Sequence, residues 1–162
     1  VRRVARPPGG GRWPITVIWP VIEREAAEAG LAPGLLYRSA MTPQELRNRI
    51  DRFGDDVITF CRKTSSDPLS LRLLIQLQDA ATSTASNYRA ACRAQSKAVF
   101  VAKLSIALEE ADESVGWLQH LSHQGIGHAD TVERLLGEAG EISAILNASR
   151  ETAQGRRRRP GR

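Results

Sequence analysis

From residue 46 onward, apolar side chains recur at alternating steps of four and three, and nothing else in the sequence constrains its fold as strongly. Leu46, Ile50, Phe53, Val57 and Phe60 set the pattern. Such steps place side chains on one stripe of a helix, whereas the every-second-residue alternation of a half-buried strand occurs nowhere. Thr42 before Pro43 offers an N-cap and a first-turn residue, so the spacing predicts a helix over about 42–63. TSSDP interrupts it, and Asp67 with Pro68 starts a second helix reaching about residue 91, its apolar face made of Leu73, Leu74, Leu77, Ala80, Ala81 and Tyr88. A third, about 96–122, opens at Ser96 and shows Phe100, Leu104, Ala107, Ala111, Val115, Leu118 and Leu121. The glycines of HQGIGH end it. Asp130 with Glu133 resembles a capping box for a fourth helix carrying Val132, Leu135, Leu136, Ala139, Ile142, Ile145 and Leu146. Four long helices joined by short turns predict an all-α, antiparallel up-down-up-down four-helix bundle over residues 41–150.

The flanks read differently. Residues 1–40 mix Pro, Gly and Arg (RPPGGGRWP) with no sustained period and are expected to be a disordered extension. The only methionine, Met41, stands immediately before the periodic region and reads as the natural start. Residues 151–162 form a basic tail, also expected to be disordered. The net charge of +5 is unevenly spread: six Arg face three Glu over residues 1–40, twelve Lys and Arg face fourteen acids over 41–150, and five Arg face one Glu over 151–162. The bundle is therefore mildly acidic and the flanks supply the basicity. Cys61 and Cys92 stand far apart with no paired spacing, as in a reducing cytoplasm. No apolar run approaches the length of about 20 residues that a membrane helix needs.

Within QLQDAATSTASNYRAAC and the segment after it, the chain resembles the four-helix-bundle proteins encoded by intervening sequences in 23S ribosomal RNA genes. Gln76, Leu77, Ala80, Ala81, Ser83 and Asn87 match the first half of that family's pattern. Phe100, Ala107, Glu113 and Leu118 match the second. Tyr88-Arg89-Ala90-Ala91 departs from the usual Ile-Ala-Glu-Gly and, with EEADES and Trp117-Leu118, resembles a subgroup. The resemblance spans residues 42–150. It implies a bacterial, cytoplasmic bundle without enzymatic activity that assembles as a ring-like homopentamer, with Gln76, Ser83, Asn87, Tyr88, Glu110, Glu113 and Trp117 as motif or interface residues. A related protein, the accessory variability determinant of diversity-generating retroelements, works with a reverse transcriptase and contacts nucleic acid.

The residues themselves point away from catalysis. Glu109, Glu110, Asp112 and Glu113 lack the Glu-x-x-His partners of a carboxylate-bridged metal pair, so ion pairs to a neighbouring helix or subunit are expected for Glu110 and Glu113, which share a face. His120, His123 and His128 have no cysteine or acid pair to complete a zinc set. Ser83, Ser86 and Asn87 have no base beside them, and GGG at 9–11 lacks the features of a phosphate loop. No cofactor, metal or small-molecule substrate is expected.

In an up-down-up-down topology the start of helix 1, the turn between helices 2 and 3, and the end of helix 4 share one pole. That pole gathers Arg47, Arg49, Arg89, Arg93, Lys97 and Arg150 against Glu45 and Glu151, and Arg156, Arg157, Arg158 and Arg159 extend it. Such a concentration suits phosphate backbones, RNA before DNA, in a salt-sensitive and weakly selective way. The alternative is a protein-interaction adaptor in which the basic tail is incidental.

Overall fold

The computed structural model describes residues 41–64 and 67–154; the expectations for residues 1–40 and for Arg156–Arg159 lie outside them. Four helices follow one another: α1 (Pro43–Lys63), α2 (Pro68–Cys92), α3 (Lys97–His123) and α4 (Ala129–Gln154). No strand occurs among the described residues.

Local chemistry sets three of the four helix starts. Thr42 accepts from the Glu45 amide while the Glu45 carboxylate accepts from the Thr42 amide at 2.6 Å, a reciprocal capping box with Pro43 next in line. Asp67 accepts from the Leu69 and Ser70 amides ahead of Pro68, and Ser96 accepts from the Val99 amide. The fourth start departs from expectation. α4 begins at Ala129, which puts Asp130 inside the first turn, and the two amides bonded at this end use the His128 carbonyl, so no Asp130 capping box forms. α4 also runs on to Gln154, so residues 151–154 belong to the helix and not to the tail.

The turn from α3 to α4 ends the helix through glycine. Gly125 adopts φ +64; its amide bonds the Ser122 carbonyl and the Ile126 amide bonds the Leu121 carbonyl, the paired bonds of a Schellman motif. Ile126 then packs against the core. Gly127, at φ +87, lies against Phe60, where a Cβ would sit 2.6 Å from two ring carbons.

Every helix contributes to one core. Ile50, Phe53 and Val57 of α1 meet Leu74, Leu77 and Tyr88 of α2, Phe100, Leu104 and Leu118 of α3, and Leu135, Ile142 and Leu146 of α4. Leu73, Val115, Leu136 and Ile145, expected in the seam, are half-buried against it. Between the large side chains the helices carry Ala80, Ala81, Ala85, Ala107, Ala111 and Ala139, and buried Thr84, Ser114 and Ser149. Small side chains shorten the distance between helix axes. Each of these three hydroxyls donates to the carbonyl four residues back, so burial leaves none unbonded.

Each helix packs on its neighbours in sequence, and α1 also touches α4, though far less extensively than α3 packs on α2 and α4. Cross-helix pairs index these contacts. Asp51 and Cys61 of α1 meet Arg89 and the Leu74 carbonyl of α2, so position falls along α2 as it rises along α1. Likewise Arg49 and Asp56 meet Glu138 and Arg134 of α4.

Candidate nucleic-acid interface

The six cations of the proposed pole divide into groups. Arg47 and Arg89 converge on one carboxylate: Asp51 lies 3.8 Å from Arg47 on its own helix and 3.2 Å from Arg89 of α2. Both guanidinium groups keep about two fifths of their side-chain surface open (41% and 39%), so the shared acid leaves an excess of positive charge facing solvent. Arg93 is exposed one turn beyond Arg89. The positive charges of Arg47 and Arg93 both act on the Cys92 thiol, partly offsetting the upward push of burial. Two cations thus converge on one carboxylate where α1 begins and α2 ends, with Arg93 exposed one turn farther along α2.

Arg49 stands apart. Its Nε and Nη2 donate to the two oxygens of Glu138 at 2.6 and 2.7 Å, and Nη2 also donates to Glu141. With 18% of its side chain exposed and its charged form strongly favoured by Glu138, it ties α1 to α4. Arg150 is half-buried, donates to Asn147 at 2.9 Å, and keeps its Nε buried without an acceptor. Lys97 is exposed at the first turn of α3.

The family-motif residues serve three different purposes. Tyr88 is buried at the centre of the core, and its hydroxyl has no well-formed hydrogen bond there. Burial pushes its ionisation well above the ordinary phenol range, with the Cys92 thiol one turn on adding to the shift. Asn87 donates to the Ser83 carbonyl and hydroxyl at 3.0 and 3.2 Å, a polar link within α2. Gln76, by contrast, is exposed. Glu113 is exposed and Glu110 half-buried, and neither forms an ion pair with the described residues. Trp117 stacks obliquely on His120 with ring centres 5.8 Å apart.

Sequence periodicity alone missed a surface. Among the described residues the exposed large apolar side chains are Leu69 (72%), Leu71 (49%), Ile75 (46%), Val99 (45%) and Ile106 (37%), all on α2 or α3. Their signal was present in the sequence: both helices hold more apolar residues than one buried stripe needs. An open cleft of about 630 Å³ also lies between the end of α1 and the start of α4, bordered by Asp56, Phe60, Lys63, His128 and Arg134. Its arginine is already paired with Asp56 at 2.9 Å. Among the described residues no three His, Cys, Asp or Glu side chains gather to hold a metal, and no helix is long and apolar enough to cross a membrane.

A closed core, a cation cluster at one end and apolar residues left on two adjacent helices define an all-α bundle built around its surfaces. Residues 45–148 match the model of the 23S rRNA-intervening sequence protein family, and the chain belongs to that family. A crystal structure of a protein of unknown function from Bacteroides thetaiotaomicron, assigned to the S23 ribosomal protein family, is similar over 67% of this chain and 96% of its own, with 26% identity and a TM-score of 0.62. No curated protein sequence matches the chain.

Proposed function

We propose that this chain is a non-enzymatic, self-associating, antiparallel up-down-up-down bundle that binds RNA, alone or within a nucleoprotein, through a basic end. The antiparallel arrangement is supported by the opposed numbering of the α1–α2 and α1–α4 pairs and by the short connections. In that topology α4 finishes beside the Arg47, Arg89 and Arg93 cluster, and Arg156–Arg159 follow within a few residues. The convergence of the half-open Arg47 and Arg89 on the single carboxylate of Asp51, with exposed Arg93 one turn on, is the observation that carries the reading. Lys97 and Arg150 flank it, while Arg49 serves the α1–α4 seam. Binding of this kind draws its affinity from counterion release and falls steeply with salt.

Self-association is supported by the apolar residues of α2 and α3. Among the described residues, α1 and α4 carry no exposed large apolar side chain, so the exposed large apolar side chains are confined to the α2–α3 side of the bundle. Repeated around a ring, such as the homopentamer that the family resemblance implies, the basic ends multiply into one polyvalent surface. The same apolar side favours a second reading, an adaptor that takes a different protein there in a bacterial cytoplasm.

Fluorescence-anisotropy titration of a labelled hairpin RNA with the full chain tests the first reading. The expected result is salt-dependent binding, with the R89A/R93A/R156A/R157A/R158A/R159A variant losing most of the affinity and flattening the salt dependence by about four phosphate contacts. Absence of binding at low salt, or equal binding by the variant, rejects the basic-end reading and leaves the adaptor.

A further inference from the structure

Charge divides the bundle as clearly as apolar exposure does. α1 and α2 hold seven Lys and Arg against five acids, whereas α3 and α4 hold four against nine. On α2, Arg72 is exposed three residues from Leu69 and three from Ile75, so it stands among the exposed apolar side chains of that helix. Arg62 joins it from α1. The Cys61 thiol reaches the Leu74 carbonyl at 3.4 Å, which sets Arg62 level with this stretch of α2. Arg62 also follows Asp51, the partner of Arg89, by eleven residues, about three turns, and so lies on the flank of α1 that faces α2. Both Arg62 and Arg72 are exposed, and neither forms an ion pair among the described residues. Asp67 at the head of α2 is committed to its cap, and Asp79 stands one turn beyond Ile75.

α3 carries the opposite pattern. Val99, Ile106, Glu110, Glu113 and Trp117 recur at steps of three, four and seven, on one stripe of the helix. Asp112 accepts from Ser143 of α4, and the stripe lies on the other flank of α3, toward α2. Glu110 and Glu113, with Glu109 at the outer edge, have no cation among the described residues. Lys103, half-buried between Val99 and Ile106, offsets one of the three at most.

We propose that self-association sets the α2 face of one copy, bordered by Arg62 and Arg72, against the α3 stripe of a second copy, bordered by Glu110 and Glu113. The inference rests on the self-association proposed above and adds which faces meet. Charge complementarity selects them. α2 against α2 would set Arg72 on Arg72, and α3 against α3 would set glutamates on glutamates; like charges brought together at a contact oppose it. Opposite faces instead bring Leu71 and Ile75 to Val99 and Ile106, while arginines and glutamates left unpaired in the single chain neutralise one another at the rim. Each copy therefore carries both halves of the contact, and a variant that loses one half still offers the other.

Sedimentation equilibrium of the full chain and of two charge-reversal variants, R62E/R72E and E110R/E113R, tests the pairing. Each variant alone is expected to associate about thirtyfold more weakly than the parent, with helix content by circular dichroism unchanged because none of the four is a core residue. An equimolar mixture of the two is expected to regain near-parental association, and so is the chain carrying all four reversals, since opposite charges then face each other again. Weakening that neither the mixture nor the fourfold variant reverses overturns the pairing of α2 on α3. Association that survives either reversal unchanged also overturns it; dissociation of I75K/I106K would then keep self-association through the apolar side and remove the charge pairing alone. A parent chain that stays monomeric at high concentration removes both and leaves the apolar side to a different protein.

Discussion

Gly127 shows how a single atom holds an end of the bundle together. Its left-handed backbone and its contact with Phe60 leave no room for a Cβ, so Gly127→Ala combines strain with displacement of a buried ring. A loss of about 2–3 kcal/mol in urea unfolding is expected, with Gly125→Ala milder because nothing crowds that position. The cysteines give a second measurable consequence. Burial pushes the Cys61 and Cys92 thiols up to about 11 from an ordinary value near 9. At pH 8 their thiolate fraction is therefore about a hundredfold below that of the unfolded chain, and reaction with an aromatic disulfide reagent should be slowed to match. The sign for stability follows: a raised thiol pKa leaves the folded state unaffected below about pH 9 and erodes it as pH rises from there through 11. Denaturant midpoints should accordingly fall on the alkaline side, and less so in a C61A/C92A double variant.

At the scale of the helix, the starts are where sequence and structure can be compared one by one. Thr42→Ala is expected to cost about 1 kcal/mol, since it removes one side of the reciprocal cap. Asp67 and Glu45 are held below the ordinary carboxylate range, Asp67 chiefly by the Ser70 hydroxyl and Glu45 chiefly by the Thr42 amide. A lowered acid pKa contributes stability above the unfolded value and loses it as pH falls through the folded one. D67A should therefore show a shallower acid limb in a thermal-melt series, an outcome absent if the cap carries no energy. Thr42, Asp67 and Ser96 were legible because each cap is a short-range exchange between a side chain and amides two or three residues on. Asp130 was misread because its spacing to Glu133 imitates that exchange, while the left-handed glycines before it deliver the chain to the helix two residues sooner. The apolar seams were legible for the same reason of period. The exposed Leu71, Ile75, Val99 and Ile106 were not, since periodicity says which residues share a face and not which face lacks a neighbour. Arg49 belonged to no local pattern at all: its acids lie 89 and 92 positions away.

At the scale of the whole molecule, the two sides of the bundle separate experimentally. I75K/I106K places charge on the apolar side without touching the core, so sedimentation equilibrium is expected to show a lower mass than the parent at an unchanged helix content. A parent chain that is already monomeric at high concentration would reject the self-association. On the polar side, Arg49→Ala removes the fork that joins α1 to α4, and a half-buried bidentate pair of this kind is expected to cost about 2 kcal/mol. Arg49→Lys recovers only part of it, because an ammonium group cannot grip both oxygens of Glu138. Each helix of the closed arrangement packs on two neighbours, but not equally. The α1–α4 boundary is the thinnest, and carboxylate–guanidinium links reinforce it at Arg49 and at Arg134. A barrel whose staves are joined by glue at three seams and by magnets at the fourth does not breathe evenly. Rising ionic strength is expected to loosen the magnets first, and amide exchange along α1 that quickens with salt more than in the other three helices would be the mark of it.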